Sequence, residues 1–107
     1  MVAPSTEKLV TAEELWQLPA SERYELVKGV LVEMTPPPGL EHGALTHRLS
    51  YLITHHVFQN DLGRVVAAET GFRIARNPDT VRAADVAFVS KERWPKKPPK
   101  GYADLIP

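Results

Sequence analysis

The sequence has no cysteine, which excludes disulfide bonds, thiolate catalysis and cysteine-ligated zinc or iron–sulfur centres. It also has no apolar run near the roughly 18 to 20 residues that a membrane-spanning helix needs. The N-terminus lacks the basic and then apolar stretch of a secretory signal. We therefore expect a cytoplasmic protein in which any metal ion is bound by oxygen or imidazole.

The chain also has no net charge, because 13 lysines and arginines balance 13 aspartates and glutamates. At 107 residues with 43% hydrophobic residues, the chain is one domain or part of one. Its basic residues are densest in a segment rich in lysine and proline at 91–100. This segment is either a solvated linker or a contact with a phosphate backbone, through Lys96, Lys97 and Lys100.

Several catalytic motifs are also absent. The chain has no glycine-rich phosphate loop, no nucleophile elbow and no kinase-like motif. Aromatic residues make up only 7% of the sequence and are scattered, which is typical of core positions and not of a platform for stacking bases.

The N-terminal third predicts a short helix followed by a β-hairpin. Thr11 and Glu14 have the spacing of a capping box, so a helix is expected over 12–17, ending before Pro19. Two β-rich runs, 23–27 and 30–34, flank Lys28-Gly29, which is typical of a hairpin turn. The proline-rich loop 35–39 then interrupts regular structure.

The rest of the chain predicts one long helix and a β-meander. Leucines and an isoleucine recur every three or four residues between 41 and 60, which predicts an amphipathic helix whose apolar face packs in the core. Strands are expected over 64–69, 71–75 and 81–89, with a turn at 77–79. The predicted class is therefore α/β, with an N-terminal hairpin, one long helix and a β-meander; the family resemblance described below implies that the sheet is mixed.

Asp85 is the first candidate for chemistry, since it begins a strand that is apolar on both faces. Burying a carboxylate is costly unless it has a partner or a metal ion. Asp85 is either an aspartate at the strand entrance that is solvated or paired with Arg82, or a ligand of a hard cation such as magnesium or manganese. Glu25 and Glu69 also lie on predicted strands, and the three acids could converge at one sheet edge.

Two of the four histidines, His42 and His56, fall on the apolar face of the long helix. They are too far apart along the helix to share a metal ion. We expect His56 to be half-buried against Leu49, Leu52 and Ile53. His42, which follows the proline-rich loop, is the better functional candidate.

The hairpin Arg-Tyr-Glu-Leu-Val-Lys-Gly-Val-Leu-Val-Glu-Met (23–34) and the strand Thr-Val-Arg-Ala-Ala-Asp-Val-Ala-Phe-Val (80–89), with His42 between them, resemble the Uma family of restriction endonucleases. This family belongs to the PD-(D/E)XK nuclease superfamily. The resemblance covers essentially the whole chain. It implies a restriction-endonuclease-like fold with a magnesium or manganese site at the sheet edge.

The resemblance also assigns roles to individual residues. The family's proline–aspartate pair corresponds to Ala84-Asp85, so the aspartate is kept and alanine replaces the proline. Asp85, Glu25 and His42 are then the expected catalytic residues, and Asp85 and Glu69 the expected metal ligands. The implied substrate is DNA, and the expected contacts with its backbone are Lys96, Lys97 and Lys100.

In the family, a second metal-binding glutamate and a catalytic lysine follow the segment that corresponds to 101–105. We therefore expect residues 1–107 to be the N-terminal portion of such a domain, with 95–107 as a linker and the start of a further strand. The chain alone is then expected to be inactive and to form a homo-oligomer through an exposed sheet edge beside 81–89. The alternative is a non-catalytic module that binds nucleic acid or protein.

Overall fold

The structure, a computed structural model, describes residues 8–34 and 36–107. The expectations for the N-terminal residues 1–7 and for Thr35 in the proline-rich loop lie outside these ranges. The described elements are helix α1 (Ala12–Gln17), a 3-10 turn (Ser21–Arg23), strands β1 (Tyr24–Val27) and β2 (Val30–Glu33), helix α2 (Leu40–Gln59), and strands β3 (Gly63–Ala75) and β4 (Thr80–Ser90).

The capping box predicted for α1 is confirmed. The backbone N–H of Glu14 donates to Thr11 Oγ1 at 3.1 Å, and the backbone N–H of Thr11 donates to Glu14 Oε1 at 2.9 Å. The second bond is the main reason that the pKa of Glu14 lies below its ordinary value. The helix ends at Leu18, whose extended backbone precedes Pro19.

The predicted hairpin is also confirmed, with β1 and β2 paired antiparallel. Lys28 and Gly29 have φ angles of 49° and 80°, as a tight two-residue turn between twisted strands requires. A side chain at Gly29 would be strained by its φ angle, and its Cβ would lie 2.9 Å from Leu9 Cβ.

The four strands form one sheet in the order β2-β1-β4-β3, and the predicted mixed α/β class is confirmed. β1 pairs antiparallel with β4 at Leu26 and Val81. Strand β4 therefore lies inside the sheet, and the sheet edges are β2 and β3. The exposed edge that the sequence predicted beside 81–89 is wrong. β3 is a single strand where the sequence predicts two, because the backbone stays extended through Thr70 and Gly71.

A short segment near residue 103 runs parallel to β3. Ala103 forms an isolated parallel bridge with Phe72, and the N–H of Arg73 donates to the carbonyl of Ala103 at 2.7 Å. This isolated bridge is not itself a strand, and the further strand expected to start within 95–107 stays a prediction.

The chain divides into two compact units. The first contains residues 8–34, 71–83 and 100–106, and its core is formed by Ala12, Leu15, Leu26 and Val81. The second contains residues 36–70 and 84–99, and its buried side chains include Val57, Ala87 and Val89.

Helix α2 corrects one expectation. Its only buried residue is Val57, while Leu45, Leu49 and Leu52 are exposed. The periodic leucines therefore do not lie on the buried side of the helix. That side carries Thr46, Ser50, Ile53 and Thr54, all half-buried, so Ile53 is the one residue of the periodic set that lies on it. In the part of the chain that the structure describes, no helix has the length and hydrophobicity needed to cross a membrane.

Candidate functional site

The structure brings together two residues that the sequence singles out, His42 and Asp85. His42 lies in the first turn of α2 and Asp85 lies in β4, and both belong to the second unit. The distance from His42 Nε2 to Asp85 Oδ2 is 3.2 Å. The two side chains are 48% and 64% exposed, so the pair is open to a ligand from solvent.

This exposure agrees with the solvated strand-entrance aspartate that the sequence offered as one alternative. Because the carboxylate is exposed, it does not need a partner to offset burial. Arg82, the partner that the sequence offered as an alternative, is instead 3.2 Å from Glu25 through its Nε atom. The imidazole of His42 is thus the partner that the structure gives to Asp85.

Glu25 lies in the first unit and connects β1 to β4. Its Oε2 atom accepts from Arg82 Nε at 3.2 Å and from the backbone N–H of Ala83 at 2.9 Å. Its side chain is only 16% exposed. These contacts give Glu25 a structural task, which is to hold the entry of β4 beside β1.

Glu69 is exposed on β3. Within residues 8–34 and 36–107, no group of three or more histidine, aspartate or glutamate side chains is arranged to hold a metal ion. Asp85 and His42 have the right donor chemistry for a divalent cation, but a pair is fewer donors than a resident magnesium ion usually takes from its surroundings. The described residues therefore do not form a complete metal site, and the convergence of Asp85 with Glu25 and Glu69 at one sheet edge stays a prediction.

The basic segment is exposed at Lys96, Lys97 and Lys100. In the second unit, the guanidinium of Arg64 lies 4.8 Å from the centroid of the Trp94 ring. Lys91 donates to Asp61 at 2.9 Å, and this bond is the main reason that the pKa of Lys91 is raised. No short sequence pattern joins Arg64 to Trp94, which are 30 positions apart, so sequence reasoning missed this contact.

His56 corrects a second expectation, because it is exposed and not half-buried among leucines. Its Nδ1 atom lies 3.4 Å from the side-chain amide nitrogen of Asn60, and the same amide donates to the backbone carbonyl of His56 at 2.9 Å. These contacts belong to the C-terminal end of α2.

Comparison with known proteins gives one result that bears on this geometry. Residues 12–107 match the family model of Uma2, whose description is "Putative restriction endonuclease". No curated protein matches the chain. The match includes the hairpin, the long helix with His42 and the strand with Asp85.

Proposed function

Because the chain belongs to the Uma2 family, we propose that it functions in metal-dependent hydrolysis of DNA phosphodiester bonds. The observation that carries this proposal is the His42–Asp85 pair, at 3.2 Å and open to solvent. The family match supports nuclease activity in general. The metal requirement and the DNA substrate are part of the proposal.

The pair supplies chemistry that phosphodiester hydrolysis uses. A carboxylate beside Nε2 favours the imidazole tautomer that carries its proton on Nε2, and the other ring nitrogen is then a proton acceptor. A histidine held in this way accepts a proton from water through Nδ1, and once it is protonated there it donates a hydrogen bond to a phosphate oxygen. Asp85 is in this view the residue that orients His42 and keeps negative charge at the site.

The proposed cofactor is Mg²⁺ or Mn²⁺, with Asp85 as its main ligand; Glu69, the second ligand that the family resemblance implies, does not join Asp85 and His42 in the described residues. A divalent cation supplies charge stabilisation on the phosphate and a lower pKa for bound water. Since no third carboxylate or histidine joins Asp85 and His42 in the described residues, we expect weak binding and little or no cleavage by this chain alone.

The proposed contact with DNA is the exposed basic segment. The side chains of Lys96, Lys97 and Lys100 are exposed. Exposed lysines in one segment can contact the phosphates of a DNA backbone. We place this activity in the cytoplasm.

A second candidate function is a non-catalytic module that binds nucleic acid or protein. It is favoured by the incomplete metal site in the described residues. The two functions differ in what Asp85 does, because a binding module needs the lysines but not the carboxylate.

The first experiment follows the imidazole signals of the chain by NMR while Mn²⁺ is added. We expect paramagnetic broadening at His42 before His55 and loss of this selectivity in Asp85→Asn. Asp61→Asn is the matched control, since Asp61 is an exposed aspartate of the same unit that pairs with Lys91. Equal broadening in the wild type and Asp85→Asn would contradict the metal assignment.

The second experiment measures DNA binding and cleavage of supercoiled plasmid with Mg²⁺ or Mn²⁺. We expect DNA binding that is strengthened by Mn²⁺ through Asp85, with cleavage near background. Strong cleavage lost in Asp85→Asn would establish the nuclease and show that the site is more complete than we propose. A DNA affinity that depends neither on the metal nor on Asp85 would favour the non-catalytic module.

Self-association through a sheet edge is also part of the proposal. The edges are β2 and β3, and β2 exposes the side chains of Val30 and Val32. An exposed edge strand with apolar side chains favours pairing with another chain.

A further inference from the structure

A cavity lies at the C-terminal end of α2, within the second unit. Its volume is about 450 Å³, and pockets of roughly 300 to 1,000 Å³ are the ones that bind small molecules. The end of α2, the turn after it and the first part of β3 form its walls, which include Thr54, Val57, Phe58, Asp61 and Arg64.

Phe58 gives the cavity an aromatic wall that is open to solvent. The scattered aromatic residues of the sequence are typical of core positions, but Phe58 is 78% exposed. An exposed aromatic ring loses the free energy that its burial would supply. Beside a cavity, such a ring offers a flat apolar face on which a planar group can stack.

Two further rings of α2 extend this wall along the helix. The rings of Tyr51 and His55 are stacked, with centroids 6.0 Å apart and planes 22° apart. At 100° per residue, Tyr51, His55 and Phe58 lie within roughly 60° of one another around the helix. We call these three residues the aromatic line. A row of exposed rings is the surface on which successive unpaired bases stack.

Positive charge lies at both ends of the aromatic line. Arg48 is exposed on the same side of α2, near the N-terminal end of the line. At the cavity, the guanidinium of Arg64 is held 4.8 Å from the centroid of the Trp94 ring. Asp61, which also lines the cavity, is paired with Lys91 at 2.9 Å, and this pairing offsets its repulsion of an anion.

We propose that the aromatic line and the cavity bind a single-stranded segment of DNA, with an unpaired base against Phe58 and a phosphate on Arg64. A nucleotide matches this surface because it combines a planar apolar face with an anion. The bases of a duplex do not, because their faces are stacked on one another and closed to aromatic side chains. The identity of the ligand as DNA rests on the proposed function, whereas the preference for an unpaired strand rests on the rings and the cavity.

Fluorescence anisotropy in EDTA, without a metal ion, tests the contact with the base. The probes are a short labelled oligothymidylate and an abasic strand of the same length. Both strands carry the same phosphates, so binding through charge alone would give equal affinities. We expect the oligothymidylate to bind at least about 5-fold more tightly, since the stacking of one base on an aromatic side chain accounts for that factor or more.

Phe58 variants test where the base stacks. We expect Phe58→Ala to weaken oligothymidylate binding by about 5- to 150-fold, Phe58→Trp to keep it, and Phe58→Ala to leave the affinity for a duplex unchanged. Since Phe58 is exposed, its replacement should not unfold the chain. Leu45→Ala is the matched control, because Leu45 is also exposed on α2 but lies roughly 140° around the helix from Phe58. Its affinity should equal that of the wild type.

Arg64 is tested through salt dependence. A phosphate contact on a single strand contributes about 0.7 to the slope of log affinity against log salt concentration, so Arg64→Gln should reduce the slope by about 0.7. Arg23→Gln is the control, since Arg23 makes an exposed contact of 3.9 Å with Glu33 in the first unit. Its slope should be that of the wild type.

Equal binding of the oligothymidylate and the abasic strand, an unchanged affinity in Phe58→Ala, or the same loss of affinity for the duplex would each overturn the proposal. Failure of the nuclease proposal looks different, because these measurements omit metal ions and leave Asp85 intact. Selective binding of the oligothymidylate without cleavage of any DNA would support the single-stranded site and count against the nuclease alone. Metal-dependent cleavage with equal binding of the two strands would do the reverse.

Discussion

The Oδ2 atom of Asp79 accepts a hydrogen bond of 2.8 Å from the backbone N–H of Ala12, 67 positions earlier in the chain. Ala12 is the first residue of α1, where backbone N–H groups have no partner within the helix. The same carboxylate lies 3.5 Å from Arg73 Nη1 and is itself buried. The turn between β3 and β4 thus holds the start of α1 in place.

We predict that Asp79 makes stability depend on acid pH. The bond from Ala12 lowers the pKa of Asp79 below its ordinary value of 3.8; burial opposes this shift, and Asn77 and Arg73 add to it. The stabilisation is therefore complete above the unfolded value and is lost as the pH falls through the folded pKa.

Urea unfolding of the wild type and Asp79→Asn between pH 7 and pH 3 checks this prediction. At pH 7 we expect the variant to be less stable by about 1 to 3 kcal/mol, since it loses a charged acceptor. The difference should shrink below about pH 4 as the wild-type carboxylate is protonated. Asp61→Asn, at an exposed aspartate, should show a small and flat difference, and a constant deficit in Asp79→Asn would contradict the assignment.

Arg73 carries the second prediction, because it binds carboxylates from three parts of the first unit. It contacts Glu13 at 2.8 Å, Asp79 at 3.5 Å and both oxygens of Asp104 at 3.1 and 3.2 Å. Lysine keeps the charge but cannot make this forked contact. We expect Arg73→Lys to lower the free energy of unfolding by about 1 to 3 kcal/mol.

Hydrogen exchange locates the effect of Arg73→Lys. The amide of Ala103 donates to the carbonyl of Gly71, so its exchange should accelerate when Asp104 loses its two bonds to Arg73 and keeps its contact with Arg76. Arg23→Lys is the control, since Arg23 makes only an exposed contact of 3.9 Å with Glu33. Unchanged exchange at Ala103 would show that the segment is held by other contacts.

Local patterns predicted the local structure well. The capping box at Thr11 and the turn at Lys28-Gly29 each depend on residues within four positions, and both were predicted from sequence. The contacts of Arg73 and Asp79 join positions up to 67 apart, and no spacing rule encodes them. The leucines of α2 show the same limit, because periodicity identifies a helix but does not say which of its faces the rest of the chain covers.

The sequence identified residues of the candidate site, but it did not predict how they are arranged in space. Asp85 and His42 were selected by strand pattern and family resemblance, and the structure places them 3.2 Å apart. Glu25 was selected with them, but its bonds to Arg82 and Ala83 follow from the pairing of β1 with β4. A single sequence gives no information on that pairing.

Glu25 therefore carries the third prediction, which separates a structural role from a catalytic one. Glutamine keeps an acceptor for the N–H of Ala83 but loses the charge that faces Arg82. We expect Glu25→Gln to cost about 0.5 to 1.5 kcal/mol and Glu25→Ala about 1 to 3 kcal/mol in free energy of unfolding. Chemical denaturation measures both, with Glu33→Gln as the control at an exposed glutamate of the paired strand.

The readout that separates the two roles is the Mn²⁺ titration of His42. If Glu25 is structural, selective broadening at His42 persists in Glu25→Gln under conditions where the variant is folded. Loss of broadening without loss of stability would instead place Glu25 in the functional site, where the family resemblance implies a catalytic role for it.

The last prediction concerns the salt dependence of DNA binding by Lys96, Lys97 and Lys100. A lysine that contacts a phosphate releases a counterion from DNA, so the slope of log affinity against log salt concentration changes by about 0.9 for each contact. We expect Lys97→Gln to reduce the slope by about 1 and the triple glutamine variant by about 3, with similar losses on unrelated DNA sequences. Lys8→Gln is the control, because Lys8 is an exposed lysine that pairs with Glu14. Fluorescence anisotropy of a labelled duplex at several salt concentrations measures the slopes. A triple variant with the wild-type slope would show that the segment is a solvated linker, and the phosphate contacts would then have to lie elsewhere on the chain.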